Sequence, residues 1–384
     1  MDRIYLDHNA TTLLDPRVLD AMTAVMSAAP GNPSSLHWFG QRARATIEEA
    51  RGRVATLIGA APSEVVFTGS GTEADNTAIR GLATAAPASR RKLVVSAIEH
   101  HAVIGSANAL AKEEGFAVDL VRARSDGTVD MDELRARVDD RTALVAVMLA
   151  NNETGAIQPV AEAARIAHER GALLHCDAVQ AAGKISVDAH ALAVDTLAVS
   201  AHKVYGPQGV GALFVRRGTT MRPLLHGGSQ ERNRRAGTEN VAGIAGFGRA
   251  AEIADEEREA EAVRLGALRD LLESRLLAVP GARRNGDGPR VPNTTNISFE
   301  GTEAEGLVMA LDLLGVAVST GAACAAGAVE PSHVLRGMGL PLARIEGSLR
   351  FSLGRGTTEA AVSRVVAAVA EVVERQRSRS RAHA

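Results

Sequence analysis

The chain is poor in cysteine and poor in lysine. Two cysteines in 384 residues make neither a disulfide framework nor a zinc set, which leaves a reduced compartment and thiols that are either packed or reactive. Only four of the 43 basic residues are lysines (Lys92, Lys112, Lys184 and Lys203). Where arginine dominates this strongly, a retained lysine asks for a chemical reason. Net charge is scarce too. A formal −2 with a hydrophobic fraction of 46% gives no basic field for direct nucleic-acid contact and no case for a membrane surface. No apolar stretch reaches membrane-spanning length without a charge or helix breaker, and no charged start with an apolar segment behind it opens the chain. The expectation is a cytoplasmic globular protein whose partners are small molecules or other proteins.

What is present alternates. An amphipathic helix is expected over about 37–58, then the strand "EVVFT" ending at Thr68, a glycine turn, and a helix from about Thr72. The beat repeats through "KLVVSA", a helix from 101, "FAVDLV", "TALVAVML", a helix from 160, "ALLHCDA", "DTLAVSA" and "GALFV". Buried strands separated by helices predict an α/β fold with a mainly parallel sheet covered on both faces. A long helix over 239–278 leads to "TTNISF", a helix from 303, "VAVST", a helix from 331, "GSLRFSLG" and a terminal helix, the pattern of a smaller α+β unit. The closing "RQRSRSRAHA" reads as disordered.

Four places carry chemistry. In "FTGSGTEADN" a strand runs into Gly69 and Gly71 and a helix start, where free N–H groups can bind a phosphate. An N-capped helix with Thr72 as its cap explains the same residues equally well. The stretch also fits G-x-G-x-x-A, but "ATAAPASRRK" stands where that dinucleotide motif needs an acidic residue. In "SAHKVYGPQG" Lys203 follows an apolar strand and precedes a Gly-Pro turn, a strand-end position where a partly desolvated lysine can form a Schiff base; a surface lysine is the plainer reading. Asp177 in "HCDAVQ" ends a central strand, so it faces a cation or a protonated nitrogen, or else caps a helix, while Cys176 beside it reads as strand core. In "IEHHAV" His100 and His101 follow a strand end, and alone they are as readily capping or surface residues.

The second cysteine is unlike the first. Cys324 sits in "STGAACAAGAVEPSHVL", with no large apolar residue nearer than Val318 or Val329. Such surroundings suit an accessible thiol rather than a packed one.

A phosphate cradle, a Schiff-base lysine, an acid for a ring nitrogen and a histidine to stack on a ring together describe a pyridoxal 5'-phosphate site. With "YLDHNATT", "GNPSSLH", "GTEADN", "EHHAV", "NNETGAIQPV", "DAVQ", "SAHKVYGPQGVGAL", "HGGSQERNRRAGTEN", "STGAAC", "EPSHVL" and "LRFSLGR" in order, the chain resembles the cysteine desulfurases of the class V aminotransferase group, fold type I, nearly end to end. The resemblance implies a large domain over 15–258 and a small one made of 1–14 and 259–384 that carries the cysteine loop. It implies that Lys203 holds the cofactor, Asp177 pairs with its pyridine nitrogen, Gln180 and Asn152 lie near its phenolic oxygen, and His100 stacks on its ring. Phosphate contacts fall to Thr72, Ser200 and His202, with Thr238 reaching in from a second subunit, hence an obligate homodimer. Arg350, with Asn152, anchors the substrate L-cysteine, and Cys324 takes its sulfur as a persulfide, leaving L-alanine. The small-residue loop resembles the long-loop branch that serves iron–sulfur assembly and tRNA thiolation, so a sulfur-acceptor protein such as an iron–sulfur scaffold is the implied partner. Ala323 stands where many relatives have Ser, and Ser229 where many have Gly. A transaminase or lyase of the same fold needs no Cys324, a selenocysteine lyase differs only in substrate, and a non-catalytic scaffold needs neither Lys203 nor Cys324.

Overall fold

The strands of the first half carry apolar residues at successive positions, as strands covered on both sides do. The computed structural model of the chain describes residues 3–28, 30–320 and 330–383. Seven strands form its main sheet in the spatial order Val65–Thr68, Gly211–Val215, Thr196–Ser200, Leu173–Asp177, Thr142–Ala146, Lys92–Ser96, Ala117–Val121. Only Gly211–Val215 runs against its neighbours; the other pairs are parallel. Alternation decides which face each side chain joins. Val94 and Val145 enter a core with Ile47 and Val54 of the helix Trp38–Leu57. Their neighbours Leu93, Val95, Leu144 and Ala146 pack on the other face against Ile79 and Leu82 of the helix Gly71–Ala85 and Val103 and Leu110 of the helix His101–Glu114. Both faces are therefore dry, as the sequence predicts.

A second core lies apart. Ile4 and Leu6 join Leu272, Ile297, Phe299, Leu311, Phe351 and Val369, around an antiparallel sheet of Ala282–Arg284, Thr294–Phe299 and Ser348–Ser352. The helix Val241–Leu277 serves both cores, through Ile244 to Ala254 in the first and Leu265 to Leu276 in the second. The expected boundary at 258 thus falls inside one continuous helix. "VAVST" supplies only the two-residue strand Val316–Ala317, which pairs in parallel with Ile4–Tyr5.

Two differences from the sequence reading have physical reasons. The tail "RQRSRSRAHA", as far as His383, belongs to the helix Glu359–His383. There, Arg377 donates to the carbonyls of Glu300 and Pro280, and the side chain of Gln376 accepts from the N–H of Glu303. Backbone acceptors outside the helix hold what composition alone reads as solvated. The helix Pro16–Met26 was not foreseen, although its signals are plain: Asp15 accepts from the N–H of Arg17, and proline occupies the first turn.

Candidate active site

The parallel strands place their C-terminal ends along one edge of the sheet, and the chemistry collects there. A cavity of about 510 Å³ is lined by residues that follow four of those ends, among them His100, Asn152, Asp177, Gln180 and Lys203. Thr72, Ser200, His202 and Arg350 line it as well.

Its phosphate-like corner is a helix start. The cap is Ser70, whose hydroxyl accepts from the N–H of Glu73 at 3.0 Å, not Thr72 as one reading of the sequence has it. Thr72 is left exposed to the cavity. Gly71 is required by a close approach: a Cβ there would meet Val179 Cγ2 at 2.9 Å. Across the corner the buried hydroxyl of Ser200 has no partner among the described residues, an orphan that an anion's oxygen would satisfy.

The floor is acidic. Asp177, Asp75 and Glu99 are all buried, and Asp75, His100 and Asp177 bring ligand-type atoms within 4.8 Å of one another. Burial raises the pKa of Asp177, with the charges of His100 and Lys203 opposing it. Burial also pushes Glu99 up to about 8, and Asp75 upward with Asp177 and Glu99 as like-charged neighbours. Asp177 caps the following turn by accepting from the N–H of Val179 at 2.9 Å. His100 Nδ1 faces the N–H of Ala102 at 3.1 Å and accepts from it, which leaves Nε2 protonated in the neutral ring. The ring is exposed by area because it borders the cavity, yet burial still lowers its pKa.

Lys203 ends a short 3₁₀ turn, Ala201–Lys203, and the amino-terminal segment clamps that turn. Thr12 donates to the carbonyl of His202 and accepts from the N–H of Tyr205, whose φ of 64° is left-handed. Lys203 Nζ donates to the carbonyls of Asn9 at 2.5 Å and Ala10 at 2.6 Å. Desolvation first, then the charge of Arg350, lowers it to about 8, with Asp177 pulling the other way. Arg350 itself is held by Asp7 at 2.6 Å and by the carbonyl of Asn152 at 3.1 Å.

A family model described as "Aminotransferase class-V" matches residues 4–365 of the chain. A cysteine desulfurase of a Nostoc species is 48% identical over 382 residues, covering 99% of this chain and 95% of the relative. The cysteine desulfurase IscS of Dictyoglomus turgidum is 44% identical over 381 residues, covering 98% and 95%. The chain belongs to the class-V aminotransferases, among the cysteine desulfurases. Of solved structures, a NifS-like protein superposes with a TM-score of 0.91 at 39% identity, covering 97% of this chain and 99% of its own. A structure titled "SspA in complex with cysteine" gives 0.80 at 31% identity, covering 91% and 98%.

Relative to what its sequence predicts, this class-V chain brings nine of the eleven named residues to one cavity. Thr238 does not join them: it is exposed and lines a separate hollow with Arg235 and Glu239. Cys324 lies outside the described residues. Sequence reasoning passed over Asp75, Asn9, His333 and the pairing role of Asp7, all inside or beside quoted motifs. Asp75 was the most legible, as an acid one turn into a phosphate-type helix on the face that turns inward. His333 shares the cavity wall with His101, their rings 4.5 Å apart, and its Nε2 donates to the carbonyl of Glu99 at 2.8 Å. No membrane-crossing candidate exists among the described residues: no helix is long and apolar enough.

Proposed function

We propose that the cavity holds pyridoxal 5'-phosphate and that the chain moves sulfur from L-cysteine to Cys324, leaving L-alanine. The observation that carries this reading is the convergence of Lys203, a lysine freed of much of its proton affinity, with a buried acid floor and an anion corner in one cavity. The residues present suit that cofactor. The orphaned Ser200 hydroxyl, Thr72 and His202 would hold its phosphate, Asp177 would meet its ring nitrogen, His100 would cover its ring, and Gln180 and Asn152 would face its phenolic oxygen. When bound, the group supplies an electron sink that acidifies the substrate's α-carbon and loosens the bond to sulfur. Lys203 then carries the proton, Arg350 anchors the substrate carboxylate, and the Cys324 thiolate takes the sulfur. The bond from carbon to sulfur breaks as the sulfur–sulfur bond forms, and the proton left over goes to the β-carbon. Incubation with L-cysteine should therefore give one alanine per sulfur trapped on Cys324. Alanine without sulfur on that residue would overturn the reading.

The pKa of Lys203 has a consequence for loading. Condensation with an aldehyde needs the neutral amine, and its share grows as pH rises through the pKa. Uptake of pyridoxal phosphate by the cofactor-free chain should thus accelerate with pH and level off above about 8. A rate still climbing toward the ordinary lysine value of 10.5 contradicts the burial of this amine.

Thr238 faces outward, and we propose that it completes the phosphate site of a second copy, so that the functional unit is a homodimer, each subunit of which has a large domain over 15–258 and a small one over 1–14 and 259–384. The loop that carries it is firmly placed. Glu231, Arg232 and Asn233 all have left-handed φ, a conformation costing roughly 1–2 kcal/mol per residue. The fully buried Arg51 holds Glu231 through two bonds of 2.7 and 2.8 Å, and Arg235 holds Glu73 of the phosphate helix at 2.9 Å. Thr238→Ala should weaken cofactor retention about tenfold, one lost hydrogen bond to a charged group, with no change in melting temperature of the cofactor-free protein. Unchanged retention in a confirmed dimer would refute the assignment. The sulfur leaves, in this reading, for an acceptor protein of the kind that assembles iron–sulfur clusters.

A further inference from the structure

Lys184 is a second lysine at the site, and the reaction above makes no use of it. It stands one helical turn after Gln180, in the turn that follows the strand Leu173–Asp177, and its Nζ donates to Gln180 Oε1 at 2.5 Å. Gln180 Nε2 donates to the carbonyl of Asn9 at 2.9 Å, the same carbonyl that accepts from Lys203. This geometry leaves no freedom to exchange the two ends of the amide. A main-chain carbonyl only accepts, so the atom facing Asn9 is the nitrogen; the oxygen therefore faces Lys184, which donates. Nε2 carries two hydrogens, Asn9 uses one, and the other remains for the cavity that Gln180 lines.

We propose that Lys184 is a positioning residue: by holding the oxygen of Gln180 it makes the glutamine present a donor, never an acceptor, to the cavity. This rests on the reading that Gln180 faces the cofactor's phenolic oxygen. The titratable and charged groups facing Lys184 are His8, Lys203 and Arg350, with Tyr205, Glu257, Arg258, Glu261 and Arg355 around a small hollow of about 40 Å³, and burial lowers its pKa. No carboxylate pairs with it among the described residues, so its strong contacts are with the amide oxygen of Gln180 and, more loosely at 3.4 Å, with Asn9 Oδ1.

The test reads the cofactor's colour rather than turnover. A donor on the phenolic oxygen stabilises its negative charge, so losing it makes the neighbouring nitrogen hold its proton more tightly. In the loaded enzyme, Gln180→Leu should raise the pH midpoint of the visible absorbance change by roughly one unit. Lys184→Met should raise it by a similar amount, and the double variant no further than Gln180→Leu alone, since both act through one hydrogen bond. Lys184→Arg, which keeps donors and for which the adjoining hollow gives some room, should return the midpoint most of the way to the parent's; it also serves as the second variant if Lys184→Met does not fold. A shifted Gln180→Leu with an unshifted Lys184→Met, fully additive shifts, or a Lys184→Arg midpoint as displaced as that of Gln180→Leu would each overturn the role of Lys184. An unshifted Gln180→Leu would instead overturn the placement of Gln180, and this proposal with it.

Discussion

Cys324→Ser is expected to abolish sulfur transfer, by about a thousandfold or more, in a protein that still binds its cofactor and still responds to L-cysteine with a change of colour. The substitution keeps nearly the same volume but replaces a soft, ionisable sulfur with a hydroxyl that stays protonated near neutral pH. Everything upstream of the sulfur step falls to other residues: Lys203, Asp177, His100 and Arg350 border the cavity. Alanine and sulfide are the products to measure, with the visible spectrum as the control for cofactor and substrate binding. Persulfide formation at the parent's rate in this variant would remove Cys324 from the mechanism. The other cysteine cannot substitute, because Cys176 is fully buried in strand core and burial pushes its thiol upward.

Lys203→Ala should fail earlier. Without the amine, the cofactor has no covalent anchor and the substrate's α-proton no carrier, a loss of at least about 10²–10⁴-fold for the proton transfer alone. The Ala10 carbonyl would lose the donor that Lys203 supplies, and the Asn9 carbonyl would keep only Gln180 Nε2. The expected protein is folded, binds pyridoxal phosphate weakly and releases it on gel filtration, and borohydride no longer fixes the cofactor to the chain. An adduct mapped instead to Lys92, Lys112 or Lys184 in the parent would displace Lys203 from this role. Lys92 is a poor rival on structural grounds, since Asp119 and Asp139 hold it by ion pairs at the far end of its strand. Pairing one Cys324→Ser chain with one Lys203→Ala chain then asks whose site each loop serves. A nearly inactive mixed dimer places the loop in its own subunit's site, and about half the parent's activity places it in the partner's.

Most of the large sheet was legible because burial on two faces leaves a run of successive apolar residues, as in Leu93–Val95 and Leu197–Val199. The strand ends, and so Lys203, Asp177 and His100, came with them. Contacts between residues far apart in the chain were not legible. Nothing local to Asp7 announces a bond to Arg350, nor does Asn9 announce that its carbonyl will serve both Lys203 and Gln180. The end of the terminal helix was missed for the same reason: Arg377 reads as one charge in a basic tail until Pro280 and Glu300 supply acceptors. Ser70 took the cap from Thr72 because a two-residue shift in a helix start lies below what cap preferences resolve.

The pairing of Ile4–Tyr5 with Val316–Ala317, and of Asp7 and Asn9 with residues beyond 290, sets a schedule for biosynthesis. A ribosome delivers the seven strands between Val65 and Val215 while the partners of the opening segment are still untranslated. That segment lacks its sheet neighbours until the strand Ser348–Ser352 has emerged, although it is the part that seats Lys203. A nascent chain therefore has its sheet long before its reactive amine is fixed in place. Loading of the proposed cofactor is thus expected to follow synthesis rather than accompany it.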